Sequence, residues 1–121
     1  MMAVTGIGGF FFRSSDPEGL AKWYLDHLGV GAPPGVFIWN QDAGPTVFAP
    51  FKADSDYFPA DKRYMLNLRV DDLDGLIASL KAADIEVIQK AEWDVMPEVG
   101  RFARIHDPEG NPIELWQPAA T

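Results

Sequence analysis

Apolar positions along the chain follow two rhythms. In residues 17–28 they recur at helical spacing, with Leu20, Trp23, Tyr24 and Leu28 on one stripe. Asp16 can cap the first turn, Pro17 suits the first helical position, and Gly29 stops the helix. Residues 71–84 repeat the pattern, with Leu73, Leu76, Ile77 and Leu80 on one face. That second helix ends at Asp84, where glycine would cap more easily. Elsewhere apolar residues alternate or run in short blocks, the mark of strands. These blocks are GIGGFFFR (6–13), GVFIWN (35–40), PTVFAPF (45–51), YMLNLRV (64–70), IEVIQK (85–90), RFARIH (101–106) and PIELWQ (112–117). QDAG (41–44) and DPEGN (107–111) read as hairpin turns. KADSDYFPADKR (52–63) is a polar, proline-broken connector, and AEWDVMPEVG (91–100) is a loop. The stretch Val30–Pro34 leaves room for one further short strand.

The element order is thus β-α-β-β, a loop, then β-α-β-β-β, and the two halves look alike. At an offset of 56 positions Arg13 falls on Arg69, Asp16 on Asp72, Gly19 on Gly75 and Leu20 on Leu76. Phe10 and Phe12 fall on Leu66 and Leu68. Identities and periodicity in one register indicate a duplicated βαβββ unit. The expected fold class is α+β. One domain over residues 1–121 holds two βαβββ modules, at about 4–51 and 63–118, with a curved mixed sheet and helices on its outer face.

Side chains alternate across a strand, so the helix-facing set fixes the other face. Leu66, Leu68 and Val70 face the helices, leaving Met65, Asn67 and Arg69 opposite. Phe10 and Phe12 pack under the first helix, leaving Gly9, Phe11 and Arg13. In the last hairpin Ala103, Ile105, Ile113 and Leu115 turn inward. Phe102, Arg104, His106, Glu114 and Trp116 share the opposite, concave side. Trp39 and Trp93 are further aromatic walls, whereas Trp23 belongs to the core. Aromatic walls with a few convergent polar groups suit a small-molecule site.

Charge and composition narrow the partners. The chain has 121 residues, a net charge of −8 and no cysteine. One modest core is within reach of that length. An acidic surface disfavours nucleic acid and anionic membranes. The apolar N-terminal run is too short to span a bilayer and ends at Arg13. A cytoplasmic protein is expected.

Three stretches carry a family likeness: FFFRSSDPEGLAKWYLDHLG, MLNLRVDDLDGLIASLKAADIEV and, most specific, FARIHDPEGNPIELWQP. With these the chain resembles the glyoxalase / bleomycin-resistance / extradiol-dioxygenase superfamily, the vicinal oxygen chelate fold. The resemblance implies paired modules that form a cup, and homodimers among single-pair chains. It also implies, in metal-dependent members, a divalent ion held from four strands. Those positions fall here on Gly9, on Val47 or Phe48, on Met65 and on Glu114. Of these only Glu114 has a suitable donor, since a thioether is poor for such ions. His106 is a further candidate and the acidic residues of DSDY (54–57) could swing in from the loop, whereas His27 lies on the polar side of the first helix. No cofactor is therefore expected.

Glu114 has two readings. It is a solvated strand residue or a partner for Arg104 or Arg69. Otherwise it is a carboxylate shielded by Trp116 and Phe102, the acid/base if the protein is an enzyme. Arg13 and Arg69 likewise either hold an anion or pair with Asp16 and Asp72. The expected function is binding, and conceivably transforming, a small organic molecule in the cup without the usual metal. Phe11, Trp39, Met65, Asn67, Arg69, Phe102, Arg104, His106 and Trp116 would contact it. Alternatives are a metal-dependent lyase, isomerase or dioxygenase, a non-catalytic antibiotic-sequestering protein, and a scaffold subunit with a vestigial cup.

Overall fold

The computed structural model describes residues 2–32 and 37–119. Its elements are α1 (Pro17–Leu28), β1 (Leu66–Arg69), α2 (Leu73–Ala82), a 3-10 turn (Ala91–Asp94), β2 (Gly100–His106) and β3 (Pro112–Pro118). The three strands form one open sheet in the order β1-β3-β2. β3 runs parallel to β1 and antiparallel to β2. The architecture is α+β with a mixed sheet.

Both helices start by the same device. The Asp16 carboxylate accepts from the Gly19 N–H at 3.1 Å, and Asp72 accepts from Gly75 at 3.0 Å. Each aspartate satisfies an otherwise orphaned amide of the first turn. A Cβ on Gly19 would lie 2.2 Å from Asp16 Oδ2, and one on Gly75 2.3 Å from Asp72 Oδ2. The repeated Asp-x-x-Gly spacing therefore seats each cap carboxylate in the space a Cβ would otherwise crowd. α1 ends at Gly29 in the left-handed region. Past α2, Asp84 takes φ +60, the conformation in which glycine would be less strained.

The core lies between the helices and one face of the sheet. Leu20 and Tyr24 from α1, Leu73, Ile77 and Leu80 from α2, and Ala103, Ile105, Ile113 and Leu115 from the hairpin are buried together. Leu66, Leu68 and Val70 pack against them, so strand parity runs as read from the sequence. The hairpin turn is knotted by Asp107. Its Oδ1 accepts from the Glu109 and Asn111 amides at 2.9 and 3.0 Å. Its Oδ2 accepts from the Asn111 side chain and from the Tyr24 hydroxyl, both at 2.8 Å. Ser14 and Ser15 add a second tie, donating to Glu109.

The first half departs from expectation. Among the described residues no strand precedes Leu66. Residues 6–13, 37–40 and 45–51 join no ladder, and the expected strand over 85–90 reduces to one bridge, Ile88 to Arg104. Val30–Pro34 and the start of the 35–40 block fall partly on residues 33–36, outside the described set. Alternation predicts a strand's faces, but a ladder also needs a partner edge. The open edge of β1 is the candidate partner, and Arg69 stands in front of it. Its Nη2 donates to the Asp42 carbonyl at 3.1 Å, and a Cβ on Gly44 would lie 1.7 Å from its Nη1. The guanidinium lies against residues 42–44 beside that edge. Phe12 packs edge-on to Tyr24, and Phe10 reaches Tyr64.

Candidate functional site

Of the residues that parity placed together, Asn67, Arg69 and Trp116 border one cleft and Arg104 and His106 another, while Phe102 and Glu114 border neither. The larger, about 870 Å³, opens beside β1. Trp39, Asp42, Asn67, Arg69, Leu76 and Trp116 are among its walls. Trp116 is anchored by its indole N–H, which donates to the Val99 carbonyl at 2.9 Å. It stacks on Phe102 with ring centroids 6.4 Å apart. The second cleft, about 510 Å³, lies against β2 and is walled by Tyr57, Phe58, Lys90, Trp93, Arg104 and His106.

Glu114 sits between the two. It is 7% exposed. One oxygen accepts from the Asn67 amide at 2.7 Å, and the other accepts from the Tyr57 hydroxyl. The expected partnership with Arg104 or Arg69 is not formed. Among the described residues the ion pairs are Lys22–Asp26 and Arg101–Asp74, both on the surface. Nor is Glu114 solvated, because Tyr57 covers it. Burial pushes the Tyr57 phenol well above its ordinary pKa, and donation to Glu114 adds to that.

Arg104 lies opposite Glu114 in the β2–β3 register. Its guanidinium carbon is 5.1 Å from the Tyr57 ring centroid and 5.3 Å from that of Trp93. Its Nη2 donates to the Tyr57 carbonyl at 3.0 Å. Arg69, by contrast, gives one hydrogen bond to the Asp42 carbonyl, while Asp16 and Asp72 cap helices. Phe11 is 93% exposed and borders neither cleft. Met65 is half-buried and borders neither.

Tyr57 was missed by sequence reading because its segment looks like a polar connector. An aromatic pair, Tyr57–Phe58, inside such a stretch was the available signal. Trp93, expected as an aromatic wall of the cup, lines the second cleft; Lys90 carried no signal.

Among the described residues no three His, Cys, Asp or Glu side chains group to hold a metal ion. Both Glu114 oxygens already accept from protein donors. The residues present do not fit the divalent ion that the family likeness implies.

The helices on one side of a mixed sheet, the D-P-E-G-N hairpin and the aromatic-walled clefts are consistent with the vicinal oxygen chelate superfamily. Among solved structures the chain is similar to TnmS3, an antibiotic binding protein from Streptomyces sp. CB03234. Identity is 29%, covering 98% of this chain and 100% of that one, with a TM-score of 0.59. A glyoxalase/bleomycin resistance protein of the same strain is similar at 24% identity over 85% of this chain and 92% of that one. Its TM-score of 0.48 is too low to carry function. No protein-family model and no curated protein matches the sequence.

Proposed function

We propose that the protein binds a small organic molecule of the antibiotic type in the cleft beside β1, and holds it unchanged and without a metal. The observation that carries this reading is the full-length likeness to an antibiotic binding protein. The cleft adds chemistry suited to it: Trp39 and Trp116 as flat apolar walls, with Asn67 and Arg69 as polar handles. The test is a thermal-shift and calorimetric screen of antibiotics, with the bound compound recovered and analysed by mass spectrometry. A hit that is recovered intact, unaffected by EDTA, and weakened about tenfold or more by Trp39→Ala supports the reading. A ligand recovered altered, or binding that EDTA abolishes, overturns it.

The working unit is proposed to be a homodimer in which the first half completes a second module. Two observations support this. The paired Asp-x-x-Gly caps show near-identical cap geometry, φ/ψ −142/79 at Asp16 and −137/83 at Asp72. The first half also leaves large apolar side chains bare, with Phe11, Phe37 and Phe48 at 93%, 91% and 86% exposure. Light scattering should give twice the chain mass, and Phe48→Ser should reduce it to one.

A further inference from the structure

Arg104 is the most confined cation in the molecule, at 5% exposure. A guanidinium keeps its charge inside a protein, so burying one is expensive unless an anion or a full set of acceptors meets it. Neither is present among the described residues. Arg104 makes no ion pair, and its one hydrogen bond goes to the Tyr57 carbonyl. Its Nε–H is buried with no partner at all. The nearest carboxylate across the sheet, Glu114, spends its two oxygens on Tyr57 and Asn67. The rings of Tyr57 and Trp93 flank the guanidinium. Its Nε–H and Nη2 together form the edge that matches a carboxylate in bidentate fashion, and here the first is unpartnered while the second bonds the Tyr57 carbonyl.

The surroundings fit the rest of such a ligand. The cleft beside Arg104 has about 510 Å³, with Phe58, Ile88 and Trp93 as apolar walls. Lys90 and His106 border it, as do the exposed Asp54 and Asp56. Neither Lys90 nor Arg104 forms an ion pair among the described residues, and of the two Arg104 is the buried one. We infer that this second cleft is a subsite for the carboxylate of a flat organic molecule, with Arg104 as the recognition residue. Entry requires residues 54–60 to lift, since the Tyr57 carbonyl occupies Nη2 and the Nε–H is covered. The inference rests on the reading that the protein holds small organic ligands. It adds the chemical class of a charged one, at a place separate from the cleft beside β1.

The experiment uses the full chain and two probes of one shape, 2-naphthoate and 2-naphthamide, titrated by calorimetry. The charged probe is expected to bind at least tenfold more tightly than the neutral one. In Arg104→Lys, which keeps the charge but loses the fork, that preference should fall below threefold. The Arg104 Nε–H resonance should shift on adding naphthoate. Failure of naphthoate to bind, equal affinity for the two probes, or an undiminished preference in Arg104→Lys overturns the inference. The comparison in unaltered protein stands even where the variant folds poorly. Antibiotic binding that is sensitive to Trp39→Ala, with no naphthoate preference, sinks this subsite and leaves the broader reading intact. The opposite pair of results does the reverse.

Discussion

Single side chains carry much of the tertiary structure here. Asp107 is 4% exposed and accepts four hydrogen bonds, so Asp107→Ala strands several buried donors at once. It should cost about 3 kcal/mol in chemical denaturation, against about 1 kcal/mol for Tyr24→Phe, which removes a single donor. The phenols of Tyr24 and Tyr57 are both raised, mainly by burial and then by donation to Asp107 and Glu114. A raised tyrosine favours folding while the unfolded phenol stays protonated, and that stability is lost as pH climbs past about 10. Absorbance at 295 nm should therefore show two of the three tyrosines ionising only as the chain unfolds. On the acid side, Ser14 and Ser15 hold the Glu109 carboxyl below its usual range. Its contribution is present above the ordinary glutamate pKa and fades as pH falls through the lowered one. Strand parity made the shared face of Phe102, Arg104, Glu114 and Trp116 legible from sequence. The cover over that face was not legible. It depends on Tyr57, which is 57 residues from Glu114 in the chain.

At the scale of elements, what is local was readable and what is paired at a distance was not. Both helices announce themselves by an aspartate, a glycine three positions on and an apolar stripe, all within a few turns. Gly75→Ala should displace the Asp72 carboxylate and cost about 1 kcal/mol, read as a lowered melting temperature. At the other end of α2, Asp84→Gly should gain up to about 1 kcal/mol by relieving a left-handed aspartate. The hairpin β2–β3 was equally clear, because DPEGN closes it directly. The apolar blocks at 6–13, 37–40 and 45–51 have the alternation of strands but no short turn binding them to a known edge. Their pairing is settled by long-range neighbours, and beside the open edge of β1 residues 42–44 contact the Arg69 guanidinium without joining a ladder.

Taken whole, the molecule combines a net charge of −8 with a first half rich in bare phenylalanines. Like charge opposes association while apolar surface drives it, and added salt screens only the first. The proposed homodimer should therefore tighten severalfold between about 10 and 300 mM salt, where the Debye length shortens from about 30 to below 8 Å. Sedimentation velocity across that range checks it, and weakening with salt would contradict an apolar interface. A clasp joins the chain's two halves: Ser14, Ser15 and Tyr24 on the early side, Asp107 and Glu109 on the late side. A protease that nicks the exposed backbone after Arg63 thus cuts the thread without opening the buckle. The two fragments should run apart on a denaturing gel yet travel together through a sizing column.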